Sequence, residues 1–142
     1  MDAPLAELID QVRTAAGAGR PLRIRGGGTK DFHAERLQGE PLATAGLQGI
    51  VSYEPSELVV TVRAGTPLAE LEAALAEKGQ CLPFEPPRCG GSGGMGAGTV
   101  GGMVAAGLAG PARASVGGVR DYVLGATLLN GRAEVLSFGG QV

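Results

Sequence analysis

The chain has 142 residues, 26 of them glycine, 44 % apolar residues and a formal net charge of −2. That is enough for one domain with a core, and it lacks the basic footprint of a general nucleic-acid binder. No apolar run reaches the ~18 residues of a membrane-crossing helix, and the acidic start MDAPLAELIDQV does not read as a signal peptide, so the expected place is the cytoplasm or, through partners, the inner face of the membrane.

Leu5, Leu8, Ile9, Val12 and Ala16 recur at helical spacing and predict a helix from Pro4 to about Ala16, stopped by Gly17 and Gly19. Pro21 to Arg25 alternates and reads as a short strand. It runs into Gly26-Gly27-Gly28-Thr29-Lys30, where amides without a Cβ in the way could converge on phosphate oxygens. Leu42 to Ala45 and Ile50 to Tyr53 are further strand candidates. Glu57 to Arg63 is the best strand of the chain, with four β-branched residues. Thr66 then reads as an N-cap and Pro67 as the first helical residue, with Leu68, Leu71 and Leu75 on one face up to Gly79. Thr99 could cap a second short helix reaching about Leu108. Asp121 to Leu129 and Arg132 to Phe138 read as strands joined by a two-residue Asn130-Gly131 turn. Strands with interspersed helices make the class α+β.

The stretch Pro86 to Gly118 holds about half of the glycines. Each glycine loses more backbone entropy on folding than any other residue, so this density suits backbone that must approach something closely. A Gly/Ser spacer is the alternative. Met95, Val100, Met103, Val104 and Leu108, with only two serines in the stretch, argue against it. The order and spacing around Thr29-Lys30 are wrong for a nucleotide P-loop. Gly96-Ala97-Gly98-Thr99-Val100-Gly101 matches a dinucleotide fingerprint, with Asp121 about twenty residues on. Pro86-Pro87 and further glycines stand where that motif needs a strand.

Taken together, Arg25-Gly-Gly-Gly-Thr29, the strands within Ile50 to Arg63, Ala64-Gly-Thr-Pro-Leu-Ala-Glu-Leu71, Thr99-Val-Gly-Gly102 and Gly118-Val-Arg-Asp121 through Asn130-Gly131 resemble the FAD-binding domain of the vanillyl-alcohol oxidase type. Glu85-Pro-Pro-Arg88, Gly107-Leu-Ala-Gly-Pro-Ala-Arg113 and Phe138-Gly-Gly140 are similar to the family of E subunits of bacterial glycolate oxidases. The resemblance implies two α/β subdomains clasping FAD. The first would cover about residues 1–85 and the second would begin at about 86 and run to 142. The rest of the second subdomain and a cap domain would lie beyond, as in a truncated chain. It implies that Arg25, Gly26, Gly27, Gly28, Thr29, Lys30, Pro86, Gly98, Thr99, Val100, Gly101, Gly102, Ala105 and Gly118 bind the cofactor. It also implies oxidation of a small 2-hydroxy acid to the 2-oxo acid, with a second flavin subunit and an iron–sulfur subunit as partners. Val116-Gly117-Gly118 departs from the family's usual Tyr-Gly.

In that family a covalently attached flavin hangs on a His where Thr29 stands, so the expected FAD is non-covalent and His33 is a solvated loop residue. Cys81 and Cys89 make neither a disulfide framework nor a zinc site. Lys30 and Arg25 are candidates to neutralise phosphate, and Arg120 is a candidate ion-pair partner of Asp121. No Ser/His/Asp set or carboxylate pair suggests chemistry by the protein itself. Two other readings are a flavin-free scaffold that docks partner subunits and a nicotinamide-binding Rossmann domain.

Overall fold

In a computed structural model, which describes residues 2–89 and 98–140, Asp2 opens the first helix. Its carboxylate accepts from the Leu5 amide at 3.2 Å and also pairs with Arg63. Helix α1 (Ala3–Gly17) buries Leu8, Ile9, Val12 and Ala15 along one stripe. The chain then turns through Gly19 into strand β1 (Leu22–Arg25), which pairs in parallel with β2 (Glu40–Ala43). Leu8, Val12 and Leu42 form one core, with Leu22, Leu47, Leu129 and Ala133 packed against it.

Strands β3 (Ile50–Glu54) and β4 (Val59–Val62) pair antiparallel. Glu57 belongs to a 3-10 turn rather than to the predicted strand, because Leu58 takes a left-handed φ of 57° and breaks the extension. Gln80 clamps that turn: its amide donates to the Pro55 carbonyl at 2.9 Å and its carbonyl accepts from the Tyr53 hydroxyl. Helix α2 (Leu68–Ala76) buries Leu68, Leu71 and Leu75 in a second core with Phe84, Met103, Ala109 and Val119. Helix α3 (Val100–Ala106) ends at Gly107, whose φ of 63° stops it short of the predicted Leu108. A single turn, α4 (Arg113–Val116), follows. Each core draws on residues from both sides of residue 85.

Thr66 is not the cap of α2; Pro67 occupies that position without a side-chain bond. Thr66 is instead fully buried, and its hydroxyl accepts from the Gly49 amide at 2.9 Å and reaches the Gly49 carbonyl at 3.3 Å. Asp121 to Val123 is not strand either. The Asp121 carboxylate accepts from the Gly118 amide at 2.7 Å and closes a 3-10 turn over Val119–Tyr122. Asp121 therefore has no ion pair with Arg120 among the described residues.

The last elements are the antiparallel strands β5 (Gly125–Leu129) and β6 (Val135–Gly139). Their loop is longer than the expected two-residue turn. Asn130 pairs with Glu134, the Ala133 amide donates to the Asn130 carbonyl, and Ala133 rather than Gly131 takes the positive φ. The Asn130 side chain directs this, because its carbonyl accepts from both the Arg132 and Glu134 amides. Strand pairing puts Ala126, Leu128, Leu136 and Phe138 on one exposed face. Val135 pairs with Leu129 on the opposite face.

Two outcomes follow from this packing. Thr66→Val strands the Gly49 amide without its partner and costs about 1–3 kcal/mol in a denaturant titration, while Thr66→Ser costs clearly less. The exposed apolar hairpin face drives self-association of the isolated chain. Light scattering shows this as concentration-dependent growth in particle size, which Leu128→Lys with Phe138→Ser removes.

Candidate functional site

One cleft gathers the ends of several elements. Thr29 and Lys30 come from the glycine loop after β1, and Leu68 from the first residue of α2. Gly98 and Thr99 come from the approach to α3, Met103 and Ala106 from α3 itself, and Pro86 and Cys89 from the segment before it. The 86–89 segment is tied down at both ends. The Glu85 amide donates to the Ala109 carbonyl at 2.8 Å, and Arg88 pairs with Glu72 on α2. That hydrogen bond and the carboxylate's charge raise the Arg88 pKa above its ordinary value against a small desolvation penalty.

The two glycine loops touch. A Cβ on Gly26 would stand 2.6 Å from Thr99 Oγ1, so only glycine lets the first loop lie against the second. Thr29, Thr66 and Thr99 are the buried polar side chains among the described residues, and two of them line this cleft. Among the described residues, none of the five backbone amides from Gly26 to Lys30 donates a hydrogen bond. Partly buried amides with no partner among the described residues are open to water or to an anion.

The second loop is arranged differently. The Val100 amide donates to the Thr66 carbonyl at 2.9 Å, Gly101 to Ala64 at 2.7 Å, and Gly102 to the Thr99 hydroxyl at 3.1 Å. These three residues build the fold and do not line the cleft. A Cβ on Gly101 would lie 2.9 Å from the Ala64 carbonyl, so its glycine answers to chain packing. Ala105 is exposed, because the helical period puts Thr99, Met103 and Ala106 on the cleft side. Gly118 is engaged by Asp121 and lies outside the cleft lining. Arg25 is engaged by Asp31 at 3.3 Å. Thr29, Lys30, Pro86, Gly98 and Thr99 are thus brought together, with Gly26 behind Thr99. Leu68, Met103 and Ala106 were missed, although the i, i+4, i+7 spacing from Thr99 signals the last two.

His33 stacks on Phe32 in the exposed turn Asp31–His33. Cys81 and Cys89 are free. Gly96 and Ala97 of the dinucleotide fingerprint, like Met95, lie outside the described residues. The described half of the fingerprint follows no strand in 81–89, and Asp121 sits in a turn rather than at a strand end. A Rossmann site needs both, so that reading is set aside.

The sequence profile of the family described as FAD binding domain matches residues 4–139. The chain belongs to that family. It is 47 % identical over 135 residues to the glycolate oxidase subunit GlcE of Escherichia coli K12, covering 95 % of this chain and 37 % of that protein. Among solved structures it resembles Physcomitrella patens BBE-like 1, with a TM-score of 0.73 at 22 % identity over 96 % of this chain and 29 % of the other. Phl p 4, a grass pollen allergen with glucose dehydrogenase activity, gives 0.73 at 17 % identity over 94 % and 27 %. The chain therefore spans well under half the length of the relatives it matches. FAD is the cofactor of the family, and the paired glycine loops, buried hydroxyls and unpaired amides fit a pyrophosphate and its attached ring system.

Gly26→Ala is expected to push Thr99 away and weaken FAD binding about tenfold, with a stability loss of about 1 kcal/mol. Fluorescence titration with FAD and a denaturant melt of the same variant measure the two effects.

Proposed function

We propose that this chain is the FAD-binding part of an oxidoreductase subunit. It acts in the oxidation of a small 2-hydroxy acid such as glycolate to the 2-oxo acid. Its partners are a second flavin subunit and an iron–sulfur subunit, in the cytoplasm or on the inner face of the membrane. The observation that carries the reading is that, among the described residues, the amides from Gly26 to Lys30 are unpaired beside a cleft with buried hydroxyls. The 47 % identity to a glycolate oxidase subunit supports the substrate class and the multi-subunit setting.

In this reading the Gly26–Lys30 amides and the Lys30 ammonium receive the pyrophosphate. Thr29 and Thr99 orient the cofactor through their hydroxyls, and Pro86 and Gly98 flank it. Leu68, Met103 and Ala106 form an apolar wall that excludes water. Bound FAD supplies the two-electron oxidation. No Asp, Glu or His lines the cleft among the described residues, so this part of the protein binds and orients rather than moving protons. Attachment is non-covalent, because Thr29 offers no imidazole at the head of the loop and His33, in the exposed Asp31–His33 turn, does not line the cleft.

A flavin-free docking role is the second reading, favoured by the exposed face of Ala126, Leu128, Leu136 and Phe138. One experiment separates the two. The purified chain is expected to take up FAD with a perturbed visible flavin spectrum and to release all of it on acid precipitation. A chain that stays colourless and gains no thermal stability from FAD supports the docking role. Colour remaining in the precipitate overturns the non-covalent assignment.

A further inference from the structure

We propose that Asp31 is the positioning residue of the phosphate loop. Its carboxylate clamps Arg25, holds the loop in its open-handed shape, and leaves Lys30 as the side-chain cation of the cleft. The inference rests on reading residues 26–30 as the loop that receives the FAD pyrophosphate.

Arg23 and Arg25 alternate along β1 and therefore project to the same face. The chain leaves that strand at Arg25, runs through the glycine loop and returns at Asp31. There the Asp31 carboxylate meets Arg25 Nε at 3.3 Å through one oxygen and Arg23 Nη1 at 3.7 Å through the other. The loop is thus closed at its base by charge. Gly28 shows how tightly. Its φ is +71°, and a Cβ there would run into the Arg25 guanidinium, so the guanidinium lies against the loop's own backbone. Further backbone bonds across the turn are few and weak; the Asp31 amide reaches the Gly28 carbonyl only at 3.5 Å. Among the described residues no strong backbone bond spans Gly26 to Lys30, so the carboxylate bridge is the restraint that ties the two ends of the loop together.

The same bridge sorts the positive charges. Arg25 is neutralised by Asp31, and Arg88, which lines the cleft, is neutralised by Glu72. Lys30 lines the cleft and has no ion pair among the described residues. A flexible ammonium beside a fixed row of amides suits a pyrophosphate whose oxygens need a point charge rather than a rigid fork.

The Asp31 side chain is 37 % exposed, so the pair contributes little to global stability. Its effect is local, which makes it separable from folding. The test compares wild type, Asp31→Ala, Asp31→Glu and Arg25→Gln by three measurements: amide hydrogen exchange at residues 26–30 without FAD, FAD affinity by fluorescence, and the global melting midpoint. Asp31→Ala and Arg25→Gln are expected to speed exchange of the loop amides and weaken FAD binding, each about fivefold, with the midpoint unchanged. Asp31→Glu restores both. Unchanged loop exchange in Asp31→Ala, or unchanged affinity despite faster exchange, overturns the proposal. A wild-type chain that does not bind FAD at all overturns the cofactor reading instead, and the exchange data then decide the clamp on their own.

Discussion

The backbone seam between residues 64–68 and 98–101 holds the other parts in place. Leu68 donates to the Gly98 carbonyl at 2.8 Å, Val100 to Thr66 and Gly101 to Ala64, with Pro67 and Thr99 bridged between them. On its other side the same short segment is locked to residues 44–49. The Gly65 amide donates to Leu47 at 2.8 Å, a Cβ at Gly65 would run into the Thr44 carbonyl, and Thr66 holds Gly49. The five residues from Ala64 to Leu68 thus connect residues 44–49 to the start of α3. Backbone bonds of this kind are insensitive to side-chain choice but exacting in approach distance, which is why Ala64, Gly65 and Gly101 are small.

From that seam the cleft follows geometrically. Leu68, the last residue of the seam, begins α2 and becomes part of the cleft wall. Thr99 sits within the seam, caps α3 through the Gly102 amide, and meets Gly26. The two glycine-rich loops therefore have different jobs. In the first, the Gly26–Lys30 amides have no acceptor among the described residues. In the second, the Val100, Gly101 and Gly102 amides bond to the chain itself, and Thr99 and Met103 turn to the cleft.

Elements with local determinants were legible. The stripe of α1, the strand entering Gly26, the Thr99 cap and the helix behind it all depend on neighbours within a few residues. Misread elements had side chains drawn to distant partners. Thr66 has the look of a cap, yet its hydroxyl goes seventeen residues back to Gly49, where burial raises the value of the bond. Asp121 to Val123 carries a strand-like pattern, yet Asp121 turns back to Gly118 and the Tyr122 ring packs on Phe84 at 5.7 Å. Ala133 takes the left-handed position usually left to glycine because Asn130 fixes the loop around it. Of the residues expected to hold the cofactor, Thr29, Lys30, Pro86, Gly98 and Thr99 line one cleft. Ala105 was one position off the helical face, and Arg25 was claimed by a carboxylate.

By itself the sequence determined the kind of molecule: glycine loops in a set order, few aromatic residues and a single histidine, and motifs specific enough to imply an FAD-binding domain. Those properties are local or compositional and survive without coordinates. The tertiary structure decided how the loops share the work, since which amides remain unpaired depends on carbonyls far away in the chain. It also decided charge, because Arg25 meets Asp31 across the loop and Arg88 meets Glu72 on α2, while Lys30 has no ion pair among the described residues. Glycine in the sequence says only that close approach is possible. What approaches, whether Thr99, Ala64 or a phosphate, is set by the packing around it.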